Sequence, residues 1–180
     1  MNLFFRVLYV FLRSLFAPRI NPLEVGHLPL RVLLNDLDTN GHMNNGRYLT
    51  IMDLGRLDYL LRSGLWRFVM KHKGVPILGA ATIRYRLSLD PFHPFDLQTR
   101  VLCWDEKWFY LEQKFVLTSG EKAGAVAAVA LVKGSFWADK KLVQPQVIVE
   151  ELGVTTQSPP MPEAVVTWKK AEDALKASHQ

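Results

Sequence analysis

The chain has 180 residues, 49% of them apolar and 22% charged, with a formal net charge of +5. That length favours one domain burying roughly 70% of its unfolded surface, and the composition is that of a soluble globular protein rather than a disordered or fibrous one. The single cysteine, Cys103, excludes an internal disulfide and a cysteine-rich zinc site, and its strand-like surroundings make it a small core residue.

A pI near 9.4 favours anionic partners such as nucleotide-bearing cofactors, acidic carrier proteins or membrane surfaces. Nucleic acid is the weakest of these readings. The chain has no run of five basic residues, no zinc-finger spacing and no glycine-framed aromatic motif.

Residues 1–20, MNLFFRVLYVFLRSLFAPRI, form a helical pattern broken by Arg6 and Arg13. No stretch reaches the roughly 20 apolar residues of a membrane span, and the arginines interrupt the run in a way foreign to a secretory signal. Asn2, Arg6, Tyr9 and Arg13 share one helical face, with Leu3, Phe4, Val7, Leu8, Phe11, Leu12 and Leu15 around the rest. Two readings follow. The helix lies in a membrane interface with its arginines reaching the headgroups, or it packs on the protein's own body or on a partner subunit.

Pro18 and Pro22 end this helix and open a linker, and 29–35 reads as a first strand. A polar loop over 36–46 precedes a helix from about Asn44 to Arg62. Apolar residues recur there at Tyr48, Ile51, Met52, Leu54, Leu57, Leu60 and Leu61, on more than one side, so the helix is expected to be largely buried. Gly64 is its stop signal, and 65–73 is a second short helix.

The period then changes to two. Residues 77–89 read as a long strand with one core face, followed by strands at 97–105, 107–118 and 123–138, with a hairpin turn at Ser119–Lys122. The last strand is rich in Ala and Val, which lets a helix pack closely across the sheet. A helical turn at 147–152, an extended SPPMPE segment at 158–163 and a polar helix at 164–177 complete the chain. One helix followed by four strands on short connections predicts an α+β fold, an antiparallel sheet wrapped around one long central helix. The expected divisions are an amphipathic helix over 1–20, the main domain over 21–153 and an extension with a helix over 154–180.

The segment Asp36-Leu-Asp38-Thr-Asn40-Gly41-His42-Met-Asn44-Asn45-Gly46-Arg47-Tyr48 carries the chemistry. Turn formation accounts for Asp, Asn and Gly. It does not require a carboxylate, an amide and an imidazole at alternate positions beside a helix N-terminus. Asp38 is read as nucleophile or general base, Asn40 as a group holding water or the carboxylate, and His42 as a proton carrier. The backbone amide of Asn45, at the positive end of the helix dipole, is a candidate oxyanion donor. Asn44 is a loop-shaping residue that also borders substrate, with Tyr48 and Met52, while Asp36 is structural. Met52, Leu57, Trp66 and Phe68 are expected to set pocket depth. Arg84, Arg86, Arg100, Lys107 and Lys114 could contact the phosphates of coenzyme A, but are read in preference as a solvated sheet face. His27, His72 and His93 are dispersed without metal spacing.

The motif Asp38-x-Asn40-x-His42-x-Asn44-Asn45-x-x-Tyr48 before a buried helix resembles the hotdog-fold thioesterases over about residues 27–140. It is most similar to the 4-hydroxybenzoyl-CoA thioesterase-like group and to the N-terminal hotdog of plant acyl-carrier-protein thioesterases. The hydrophobic leading helix and the tail with Trp168 resemble a membrane-associated branch. The resemblance implies a homodimer or dimer of dimers with sheets joined edge to edge and active sites near the interface. It implies that Asp38 attacks the thioester or activates water, with Asn40 and His42 contributing. One departure stands out: the plant enzymes carry a glutamate where this chain has Arg84.

The sequence therefore leads to a thioesterase acting on an acyl-CoA or acyl-carrier-protein thioester, cytoplasmic or peripheral on a membrane through residues 1–20, with no metal or other cofactor and no nucleic-acid partner. The rival reading is a non-catalytic acyl-thioester-binding or membrane-associated interaction protein of the same fold. A hydratase or dehydratase would need a different loop-helix pattern, which is absent.

Overall fold

A computed structural model describes residues 2–138 and 140–178. Helix α1 spans Asn2–Phe16, and β1 spans Gly26–Arg31. A 3-10 turn covers Leu34–Asp36, followed by α2 (Asn45–Arg62) and α3 (Leu65–His72). The strands β2 (Val75–Tyr85), β3 (Pro94–Trp104), β4 (Phe109–Leu117) and β5 (Val126–Ala138) come next, then a short β6 (Lys141–Val143), α4 (Pro145–Glu151) and α5 (Glu163–Ala177). All pairings are antiparallel in the order β1-β3-β4-β5-β2, with β6 on β5.

The central helix forms where its apolar period predicts. Asn44 caps it, its side-chain oxygen accepting the Gly46 N–H at 2.8 Å. Tyr48, Ile51, Met52 and Leu54 pack with Leu97, Phe115, Ala128, Ala130 and Val132 of the sheet in the main core. The small side chains of β5 supply the close approach expected of them. Gly55 does the same from the helix. A Cβ there would stand 2.7 Å from Leu97 Cδ2, 2.8 Å from Thr99 Oγ1 and 2.9 Å from Gln113 Nε2. Those neighbours are buried and cannot retreat, so Gly55→Ala is expected to cost about 1–2 kcal/mol net, overpacking exceeding the gain in helix propensity. Urea unfolding at unchanged slope checks it.

Two sequence expectations shift and one strand was not foreseen. The first strand runs over 26–31 rather than 29–35, because residues 34–36 curl into the 3-10 turn. Strand β2 ends at Tyr85 and, among the described residues, pairs only with β5; most of its residues are exposed on both faces. It is an open sheet edge, not a strand with one core face. The short β6 carries no sequence pattern long enough to read.

The largest correction concerns α1. Its arginines do not reach outward. Arg6 NH2 donates to Asp36 Oδ2 at 2.5 Å and to the Arg31 carbonyl at 3.0 Å. Arg13 NH1 donates to Asp58 Oδ1 at 2.8 Å, and its NH2 to the His27 carbonyl at 2.9 Å. Each carboxylate takes a second arginine: Arg47 NH2 lies 3.0 Å from Asp36 Oδ1, and Arg62 NH1 3.0 Å from Asp58 Oδ2. Val10 and Ser14 complete the buried side. The helix is thus latched to α2 and β1 by its polar face. The two arginines sit one heptad apart, so both point the same way. The side chain of Asn2 lies outside the described residues.

Candidate active site

The loop between the 3-10 turn and α2 is closed by backbone bonds. Asp38 N–H donates to the His42 carbonyl at 2.9 Å, Met43 N–H to Leu89 at 2.9 Å, and Asn44 N–H to Asp36 at 2.8 Å. Gly41 takes φ +75°, a left-handed conformation that glycine adopts without strain. Asp36 anchors the loop from below. It is fully buried and accepts from Arg6, Arg47 and the Leu33 N–H, which fits its structural reading.

The carboxylate of Asp38 is half-buried at the surface end of this loop. Its Oδ1 accepts the Asn40 backbone N–H at 2.8 Å, an Asx turn that orients the carboxylate. Asn40 therefore holds Asp38 by its main chain, not by the side-chain amide the sequence pointed to. His42 is set apart from the Asp38 carboxylate. Its Nε2 faces Asp90 Oδ1 at 3.6 Å, beyond hydrogen-bond range, and makes no hydrogen bond to Asp38 among the described residues. Asp90, from the loop after β2, had no sequence signal as a site residue.

Helix geometry leaves the Asn45 N–H without an intrahelical acceptor, seven residues after Asp38 and at the positive end of α2. The Asn45 carbonyl accepts from Tyr85 Oη at 3.0 Å, which ties this helix end to the far end of the β2 edge.

Tyr48 and Met52 are not at the surface of a site. They face the sheet from α2 and are fully enclosed, Tyr48 against Tyr85 and Phe115. Burial, with a smaller contribution from Tyr85, pushes the Tyr48 phenol up to about 12, so it stays protonated. Tyr48 and Met52, read as bordering substrate, pack in the main core, and Asn44 is the helix cap.

A cavity of about 260 Å³ opens farther along α2, between its second half, the sheet and α4. Leu57, Leu60, Leu65, Trp104, Phe109 and Phe136 give it an apolar wall, and Pro76, Ile77 and Leu78 of β2 form one side. Of the four residues expected to set pocket depth, only Leu57 lines it. Its charged residues are Asp53 and Arg56, which pair with each other. Arg56 NH1 also donates to Gln113 Oε1 at 2.7 Å. Burial pushes the Arg56 pKa down, with Asp53 opposing the shift. This pair was missed; its signal was two opposite charges at i and i+3 within an otherwise buried helix. On the basic sheet face Arg100 and Lys114 both pair with Glu112, at 2.8 and 2.9 Å, while Arg84 and Arg86 are exposed.

Comparison with known proteins adds the family. Residues 32–168 match the model of the thioesterase-like superfamily. Protein THEM6 of Xenopus laevis is 35% identical over 173 residues, 95% of this chain and 80% of the frog protein. Protein THEM6 of Danio rerio is 44% identical over 133 residues, 72% of this chain but only 63% of the fish protein's length. Among solved structures, the probable thioesterase YbaW of Escherichia coli superposes with a TM-score of 0.64 at 22% identity, covering 71% of this chain and 96% of its own. That likeness is one of fold: an antiparallel sheet curled around a central helix. The chain belongs to the thioesterase-like superfamily, with its hotdog fold.

Proposed function

We propose that the protein hydrolyses an acyl-CoA or acyl-carrier-protein thioester to a free acid and a thiol, with Asp38 as the reacting carboxylate. The observations that carry this reading are the Asx-turn-held carboxylate of Asp38 and the Asn45 N–H that opens α2 seven residues later in the chain. Thioester hydrolysis needs an attacking oxygen and a donor for the tetrahedral oxyanion. Asp38 supplies the first, either by attacking the carbonyl carbon itself or by taking a proton from water as water attacks. The Asn45 N–H supplies the second. As the tetrahedral adduct collapses the C–S bond breaks, and the sulfur leaves as a thiolate that is protonated to the thiol. When Asp38 attacks directly, the resulting mixed anhydride is then opened by water. His42, on the same loop, is placed to relay that proton through solvent rather than through Asp38.

The apolar cavity is the proposed seat of the acyl group. It lies just below the usual size range of ligand pockets, which favours a short or medium chain or an aryl group over a long chain. Thiol release from a series of straight-chain and aryl thioesters tests this. Turnover should fall as chains lengthen, and a preference for the longest chains contradicts the assignment.

Motif and cavity lie apart in one chain: Asp53 is eight residues beyond Asn45, roughly 12 Å along the helix. A homodimer joined through β2 removes the discrepancy. Antiparallel pairing of the free β2 edge with a second copy, centred near Ala80, sets residues 76–78 of one protomer beside 82–84 of the other. The cavity of one copy then approaches the α2 N-terminus of the next, to which Tyr85 is bonded. An open strand of 11 residues is also a liability when left bare. Light scattering is expected to give a dimer or a dimer of dimers. Proline at Ala81 or Thr82, neighbouring positions whose N–H groups point to opposite edges, should at one of the two yield monomer with lost turnover. A monomeric wild type with full turnover contradicts the arrangement.

A further inference from the structure

With Arg6 and Arg13 turned inward, the outward side of α1 carries no charge. Leu3, Phe4, Phe5, Leu8, Phe11, Leu12, Leu15 and Phe16 are between 39 and 87% exposed. A contiguous apolar helix face of this kind marks an interaction surface. We propose that this face docks the protein on a lipid bilayer surface, with α1 lying in the plane of the interface while its polar face stays latched to the body. The proposal goes beyond the catalytic reading and does not depend on it, though its first argument rests on the dimer proposed through β2.

Three observations select a bilayer over a second copy of the chain. First, α1 rests on α2 and on β1, where Tyr9 Oη donates to the Pro29 carbonyl at 3.3 Å. Strand β1 is the sheet edge opposite β2, so pairing through β2 leaves the face uncovered. Second, the face is rich in aromatic rings beside aliphatic side chains, the composition that inserts shallowly below headgroups. Third, exposed cations flank the helix without interrupting the apolar face. Arg19 follows its C-terminal end, and Arg31, whose carbonyl receives Arg6, stands beside its N-terminal half. With a net charge of +5, they complement anionic lipid headgroups. This reverses the usual interfacial helix, whose own cations reach the headgroups; here they fix the helix to the protein and cations elsewhere meet the lipid.

Cosedimentation with phosphatidylcholine vesicles, with and without phosphatidylserine, tests the proposal on the full chain. Wild type should pellet with both, and more with the anionic vesicles. The double variant Phe5→Glu with Leu12→Glu changes only outward positions, and its binding should fall about tenfold or more. Its melting temperature and its hydrolysis of soluble thioesters should match wild type, which separates lost docking from lost folding. Wild type that stays in the supernatant with both vesicles overturns the proposal, as does a variant that binds as well as wild type. So does a protein whose self-association, abolished by the same variant, accounts for the face.

Discussion

Asp38→Asn is expected to reduce turnover of a good thioester substrate by roughly 100-fold or more while leaving substrate affinity nearly unchanged. The change keeps the size of the side chain and an oxygen for the Asn40 N–H, so the Asx turn survives. It removes the charge needed to attack or to take a proton. Asp38 is half-exposed and pairs with no cation among the described residues, so its neutralisation should leave the melting temperature within a degree or two of wild type. Asp36→Asn should show the reverse pattern, with a lower melting temperature and a milder loss of turnover, because Asp36 is the buried anchor of the loop. His42→Ala should fall between the two in turnover. An Asp38→Asn protein that melts early and loses turnover only in proportion would make Asp38 a loop cap.

Of the single substitutions, removing the Arg6 latch should have the largest effect on stability. Arg6→Ala leaves the fully buried Asp36 with one arginine in place of two, and frees the first half of α1. Breaking a buried ion pair from one side costs about 3–5 kcal/mol. Since Arg47 and the Leu33 N–H remain on Asp36, the lower end, about 3 kcal/mol, is expected in urea unfolding. Deleting residues 2–16 removes both latches and should cost more. The exposed control Arg67→Ala should change stability by less than about 0.5 kcal/mol. A cost below about 1 kcal/mol for Arg6→Ala would place the pair among solvated surface bridges and would mean that α1 is only loosely attached.

The helix α1 shows where sequence reasoning stops. Helical spacing placed Arg6 and Arg13 on one face and the apolar residues on the other. It said nothing of which face turns inward, because the decision rests with Asp36 and Asp58, which lie 30 and 45 residues away from their partners. The central helix was legible for the opposite reason: its apolar residues and its glycine stop are both local. The α+β architecture followed from the order of the periods. The motif loop was legible as chemistry, but its wiring was not. Asn40 acts through its backbone and His42 faces Asp90, and neither choice leaves a trace in residue type. Tyr48 and Met52 were placed at the substrate because they follow the motif, whereas helical phase turns them toward the sheet. The cavity was hidden because it is assembled from α2, four strands and α4.

Two carboxylates compete for the chemical role: Asp38 on the loop and Asp53 at the cavity. Turnover of Asp38→Asn and Asp53→Asn, measured side by side on the best thioester substrate, tests the central claim most directly. Asp38→Asn should lose roughly 100-fold or more in kcat, while Asp53→Asn keeps kcat within about tenfold and shifts mainly KM, having removed a partner of Arg56 rather than the reacting group. Near-normal kcat for Asp38→Asn with a collapse for Asp53→Asn would move the chemistry to the cavity and contradict the account.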